Sequence, residues 1–166
     1  MSASCPVCGK VMRIIETPYE IPYFGKVVLF SMICSCGYKF SDVILPEMGN
    51  PVQYKIKVNE KTLSARVVKS SSATIKIPDL EIEVLPGPGS EGYISNVEGV
   101  LLRVENGVRM ALHFSENEEQ RKRAEEILKI LDKARKGEKE LTLIIEDPSG
   151  NSAIIHELAE KKEMKT

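Results

Sequence analysis

The chain has 166 residues, a net charge of −1 at pH 7, 28% charged residues and 42% hydrophobic ones. That profile excludes a disordered chain and removes any whole-molecule electrostatic drive toward nucleic acid or an anionic membrane. No apolar run approaches the roughly 18 residues of a bilayer span, since the longest, Val27 to Cys34, has strand length and contains Ser31.

The first four residues, Met1-Ser2-Ala3-Ser4, have neither the basic nor the apolar part of a secretory signal. A cytoplasmic setting is therefore expected, in which thiols stay reduced and serve as ligands more often than as disulfides. All four cysteines fall within residues 1–45, which read as one unit. A strand-like run, Val11 to Thr17, leads into a proline-containing turn through Tyr19, Pro22, Tyr23, Phe24 and Gly25. A β-branched and aromatic run, Lys26 to Ile33, then ends at the second cysteine pair. Strand, turn, strand between two ligand pairs is the layout of a zinc ribbon.

Residues 50–160 read as a second, β-rich unit. Tyr54, Ile56 and Val58 alternate with polar neighbours, and Thr74 to Ile77 and Leu80 to Val84 repeat the pattern. Pro86-Gly87-Pro88-Gly89-Ser90 is a loop by composition. Strands are expected at Val97 to Val104 and Val108 to Phe114, joined by a tight hairpin at Glu105-Asn106-Gly107. One helix is expected near residues 116–136, opened by a Ser115/Glu118 capping box and stopped at Gly137. Its apolar stripe is Ala124, Ile127, Leu128, Leu131 and Ala134. Two last strands, Leu141 to Glu146 and Ser152 to Leu158, flank Asp147-Pro148-Ser149-Gly150, whose residue types suit a type I turn. The charged tail from Glu160 is expected to fray. The fold class is thus mainly β with one helix.

Cys5-Pro6-Val7-Cys8-Gly9 is a ligand knuckle, with two thiolates able to reach one ion and a glycine free to turn the backbone. Cys34-Ser35-Cys36-Gly37 supplies the second pair, one residue shorter than the usual C-x-x-C. Four thiolates favour zinc or an iron–sulfur centre, and zinc is the commoner in a knuckle-and-ribbon arrangement. A redox dithiol would need a βαβ setting that the pattern lacks, and paired disulfides would need an oxidising compartment. With four protein ligands no position is left for water, so the metal, one Zn²⁺, is expected to be structural.

Three other groups are candidates for partner binding. Tyr23 and Phe24 lie in the ribbon turn, where exposed aromatics would anchor an interface and packed ones would be core. Arg66 and Lys69 flank a serine run and could grip phosphate or an acidic partner, or form a solvated strand face. Asp147, Ser149 and Asn151 could present a carboxylate, a hydroxyl and an amide from a rigid turn, or bond only their own backbone. His113 and His156 have no companion at ligand spacing and read as structural. No nucleophile-and-base motif is present, so an enzyme is not expected.

With these segments in view, the chain resembles the ZPR-type zinc-finger domain family, which occurs as tandem modules in eukaryotes and as a single module in archaea. The resemblance is carried by Cys5-Pro6-Val7-Cys8-Gly9, by Ile21-Pro22-Tyr23-Phe24, and by Cys34-Ser35-Cys36-Gly37-Tyr38. It continues through Arg66 to Ser70, Ile77 to Glu83, Val97 to Leu101 and Leu143 to Ser152. It implies a four-cysteine zinc ribbon followed by a double-stranded β-helix (jelly-roll-like) domain with a helical insertion. It also implies a protein-binding role, as adaptor or folding factor for translation elongation factor one-alpha. A nucleic-acid-binding ribbon and a jelly roll enclosing a small ligand are the alternatives. The first is opposed by the near-neutral charge and the lack of a basic-aromatic patch. The second would require an open mouth lined by convergent polar groups.

Overall fold

The computed structural model of the chain describes residues 2–22, 24–46 and 49–165. An antiparallel meander comes first: β1 (Ala3–Ser4), β2 (Val11–Ile21), β3 (Gly25–Ile33) and β4 (Lys39–Ile44), in that spatial order. β2 runs past the expected end at Thr17, pairing with β3 from Arg13↔Ile33 to Ile21↔Gly25. Pro18 is tolerated inside it because β1 covers only Val11 and Met12, so β2 is an open edge where proline brings no donor.

Two further antiparallel sheets follow. The five-stranded one has the order β12-β5-β10-β7-β8, built from β5 (Val52–Val58), β7 (Thr74–Ile77), β8 (Ile82–Val84), β10 (Leu141–Asp147) and β12 (Glu160–Glu163). The three-stranded one, β11-β6-β9, comprises β6 (Arg66–Lys69), β9 (Tyr93–Asn96) and β11 (Ala153–Ile155). Apolar side chains from both sheets, among them Ile56, Val67, Ile75, Leu143, Ile145 and Ile154, share one core. The fold is mainly β, with an N-terminal cysteine cluster followed by a jelly-roll domain.

Among the described residues two α-helices are present where one is expected. The stretch read as two strands and a hairpin is a single helix, α1 (Val97–Phe114), which is followed by α2 (Glu118–Arg135). The β-branched residues and the Asn-Gly pair mislead because a stronger signal runs through them. Val97, Val100, Leu101 and Val104 recur at three- and four-residue spacing, and all are buried against the core. Asn96 caps the helix by accepting from the Gly99 N–H at 2.8 Å. Gly107 sits in the helix at about 1 kcal/mol below alanine, a penalty that burial of four large side chains outweighs.

α2 begins at Glu118 and not at Ser115. Asn117 is its cap, accepting from Glu119 and Gln120 at 2.9 and 3.1 Å, while Ser115 closes the end of α1. The expected stripe is buried at Ile127, Leu128, Leu131 and Ala134. Buried Glu105 of α1 joins the helices by ion pairs to Arg109 at 2.7 Å and Arg135 of α2 at 2.8 Å. The charged tail is a strand and not frayed: β12 pairs with β5, and Met164 N–H bonds Pro51 O at 2.8 Å. An edge strand takes its cohesion from backbone bonds and tolerates charged side chains, which an apolar-alternation reading passes over.

The meander does not stand free. Ile21, Val27 and Val43 bury themselves with Val68 of β6, and Leu29, Leu45, Ile94 and Ile155 pack around them. Polar contacts finish this seam. The Asp42 carboxylate accepts from the Ser71 N–H at 2.7 Å and from its hydroxyl, Gly92 N–H bonds Ser41 O at 2.9 Å, and Leu45 N–H bonds Asn151 Oδ1 at 3.1 Å. A Cβ on Gly92 would run into Asp42 and the Val43 backbone, so only glycine lets β4 and β9 approach this closely. Full burial stabilises by about 1.5–3 kcal/mol per aliphatic side chain and a hydrogen bond by about 1 kcal/mol. The apolar cluster therefore sets the strength of the seam, and the polar contacts set its register.

Candidate metal centre

Both knuckles close by the same hydrogen-bond scheme. In the first, Cys5 N–H bonds Lys10 O and Gly9 N–H bonds Cys5 O, each at 2.8 Å; in the second, Cys34 N–H bonds Tyr38 O at 2.9 Å and Gly37 N–H bonds Cys34 O at 3.0 Å. The second loop, Cys34 to Tyr38, is one residue shorter than Cys5 to Lys10, as its C-x-C spacing requires. Gly9 and Gly37 take φ of 73° and 94°, the left-handed turn that aims the following chain back toward sulfur.

The four sulfurs lie within 4.8 Å of one another. Cys5 Sγ is 3.7 Å from Cys36 Sγ, and Cys8 Sγ is 3.4 Å from Cys34 Sγ, so each knuckle reaches across to the other. A disulfide needs about 2.05 Å, and all four cysteines are free. Sulfurs placed tetrahedrally at about 2.3 Å from zinc stand about 3.8 Å apart, close to the spacing observed. A multi-iron cluster would have to push the sulfurs farther apart. The donor set fits one structural zinc ion, which Cys5, Cys8, Cys34 and Cys36 would hold as a closed cross-link between the ends of the ribbon.

Each knuckle contributes one buried and one exposed sulfur. Cys5 and Cys34 are 3% exposed and pack with Met12, whereas Cys8 and Cys36 face solvent. The backbone N–H of Cys36 draws the Cys34 thiol down to about 6 against the opposing pull of burial. The Lys10 N–H favours a Cys8 thiolate, but the neighbouring Cys34, Cys36 and Cys5 sulfurs and burial push its thiol up to about 12. Crowded sulfurs cannot all ionise alone, and a divalent cation removes that conflict.

The remaining candidates are spread along the seam. Tyr23 lies outside the described residues; Phe24 at the turn is exposed, as is Tyr19 near the end of β2. Phe24 and Arg66 line one groove of about 670 Å³ between the ribbon turn and the jelly roll, with Tyr54 and Ile155. Lys69 is buried, unlike a solvated strand face, and donates to Ser70 O at 2.9 Å. Asn151 spends its side-chain oxygen on Leu45 of the ribbon.

Asp147 is wholly buried and bonds far more than its own backbone. Its carboxylate accepts from the hydroxyls of Ser70 (2.7 Å), Ser72 (2.9 Å), Ser149 (2.7 Å) and Ser152 (2.5 Å), and from the Ser149 N–H (2.8 Å). Burial pushes this carboxyl up, but the Ser152, Ser149 and Ser70 donors outweigh it and hold it below the usual range. The turn bond from Gly150 N–H to Asp147 O is present at 3.2 Å. Asp42 of the seam is absent from the sequence-derived candidates. It occupies an ordinary strand position, and its partner lies 29 residues away. Asn151 and the DPSG turn carry a local signal, whereas Asp42 carries none.

Comparison with known proteins covers both lobes. The family model described as the ZPR1 zinc-finger domain matches residues 1–46, and that of the ZPR1 jelly-roll domain matches residues 61–166. A ZPR1-like protein of Methanocaldococcus jannaschii is 46% identical over 162 residues, which cover 95% of this chain and 82% of that protein. One of Pyrococcus horikoshii is 42% identical over 167 residues, covering 96% and 75%. A zinc finger chaperone of Schizosaccharomyces pombe is 30% identical over 159 residues, covering 90% of this chain and 34% of that longer protein.

Proposed function

The chain belongs to the ZPR1 zinc-finger family, and from that premise we propose that it is a zinc-stabilised protein-interaction module serving translation elongation factor one-alpha as adaptor or folding factor. The metal acts as scaffold: four thiolates close its coordination sphere and tie residues 1–45 into a ribbon that the seam fixes against residues 50–160. The observation that carries the reading is the groove shared by Phe24 and Arg66, which draws one wall from each lobe. An exposed aromatic and a guanidinium on one groove are among the residue types that dominate binding energy at interfaces. The name of the Schizosaccharomyces pombe relative, a zinc finger chaperone, supports a role exercised on other proteins. Among the described residues no helix is long and apolar enough to cross a membrane, and we place the protein in the cytoplasm with its partner.

The test is a pull-down from cell extract at low salt with wild type and with Phe24→Ser and Arg66→Glu, followed by identification of bound proteins. The expected result is capture of the elongation factor by wild type and its loss in both variants, each still holding one zinc per chain. Absence of the factor from the wild-type eluate would overturn the partner assignment. Undiminished capture by both variants would remove the groove from it.

A further inference from the structure

A second cleft lies on the far side of the jelly roll from the Phe24–Arg66 groove and is independent of the elongation-factor reading. It opens between β8, the outermost strand of the five-stranded sheet, and β9, the outermost strand of the three-stranded one, with α1 as its third wall. Its volume is about 730 Å³, within the range of small-molecule sites. The floor is apolar, formed by Ile75, Ile82, Val104, Val108 and Ala111.

One wall of this cleft carries two cations on a single ring. The Arg103 guanidinium of α1 stacks 3.9 Å from the centre of the Tyr93 ring, and the Lys69 ammonium of β6 lies 5.6 Å from it. Neither cation is within ion-pair distance of a carboxylate among the described residues. Of the two rim carboxylates, Glu83 pairs with Lys76 at 3.5 Å, and exposed Glu91 reaches neither cation. Lys69 is 6% exposed and, among the described residues, donates only to Ser70 O at 2.9 Å and Ser90 Oγ at 3.4 Å, which leaves one of its three protons without an acceptor there.

Burial holds the Lys69 ammonium below the ordinary lysine range, Asp42 and Asp147 oppose that from a distance, and Arg103 adds to it. Burial likewise drives the Tyr93 hydroxyl up to about 12, so the ring stays neutral and its face stays available to cations. Two like charges on one partly buried ring, with unused donors, are stabilised by an anion between them.

We propose that this cleft binds a small amphipathic anion, with an apolar ring or chain on the Ile75–Val104–Val108 floor and a carboxylate or phosphate head between Lys69 and Arg103. Its ligand is recognised by a charged head fixed relative to an apolar body, as in other concave sites where few polar groups set orientation.

Fluorescence titration with anilinonaphthalene sulfonate tests this, with phenylnaphthylamine as the uncharged probe of similar rings. The sulfonate is expected to bind one per chain and the uncharged probe at least about tenfold more weakly. Arg103→Gln should weaken the sulfonate about tenfold and leave the uncharged probe unchanged, and Ala111→Trp, which fills the cleft, should abolish both signals. Phe114→Ser removes the most exposed aromatic outside the cleft among the described residues (76% exposed) and should alter neither. Unchanged sulfonate affinity in Arg103→Gln, equal affinity for the two probes, or a signal that follows Phe114 and not Ala111 would each overturn the proposal. Because Lys69 is buried, Lys69→Met serves only as a second variant, expected to act in the same direction as Arg103→Gln.

Discussion

Among the described residues the ribbon buries only Cys5, Met12 and Cys34 together near its knuckles, whereas the jelly roll buries a continuous cluster drawn from five strands and two α-helices. A few side chains cannot offset the conformational entropy of ordering the ribbon backbone, so that lobe depends on a metal cross-link. The jelly roll meets the same cost with apolar area. Between them, Ile21, Val27, Val43 and Val68 make the far end of the ribbon part of its neighbour's core. The ribbon thus has one end held by metal and the other by burial, and removing either support should reveal the other.

The sharpest way to break the contrast is to remove zinc. Chelation, or Cys34→Ser, is expected to abolish stoichiometric metal and with it most of the roughly 10–16 kcal/mol that structural zinc supplies. Hydrogen exchange should then show loss of protection at the knuckle ends of β2 and β3 with β10 still protected, and equal loss in both lobes would erase the distinction. Next in size is Leu143→Ala in the jelly-roll core, expected to cost about 2–5 kcal/mol in denaturant titration while one zinc per chain is retained.

Two buried carboxylates give the jelly roll an acid limit of its own. Burial pushes the Glu105 carboxyl up, but Arg109 and Arg135 outweigh it and leave it below the usual range, in the same direction as Asp147. Both are lower folded than unfolded, so their contribution is complete above about pH 4.5 and is lost as pH falls through the folded values. Asp147→Asn strands hydroxyl donors in a buried site and should cost about 1–3 kcal/mol, with a shallower loss of stability below pH 4.5 than in wild type. An unaltered acid profile would show that Asp147 does not set it.

At the seam, Asp42→Asn should cost about 1 kcal/mol. A double-mutant cycle with Ser71→Ala should give a coupling of similar size, and zero coupling would leave registration to the apolar cluster alone. The smallest expected effect is a gain: Gly107→Ala, at an exposed helical position with nothing within 4 Å of the added Cβ, should stabilise by about 0.5–1 kcal/mol. Destabilisation there would contradict the helical assignment of α1.

Legibility from sequence follows the range of the interaction. The knuckles, the stripe of α2 and its Gly137 stop, and β3, β5, β7 and β10 are written in neighbouring residues. α1 is written there too, in Val97, Val100, Leu101 and Val104, but Asn106-Gly107 speaks for a hairpin and propensity yields to burial. β12 escapes because an edge strand bonded through its backbone shows no apolar alternation.

The spacing of Cys5, Cys8, Cys34 and Cys36 determined by itself that four thiolates would meet, because each knuckle is closed within about five residues and one hairpin brings the two together. Tertiary structure alone decided the rest. It turned Asp147 and Lys69 inward, set Asp42 on Ser71, placed Phe24 and Arg66 on one groove and stacked Arg103 on Tyr93. These partners come from separate segments of the chain and meet only where those segments pack, so the identity of either residue gives no indication of the other.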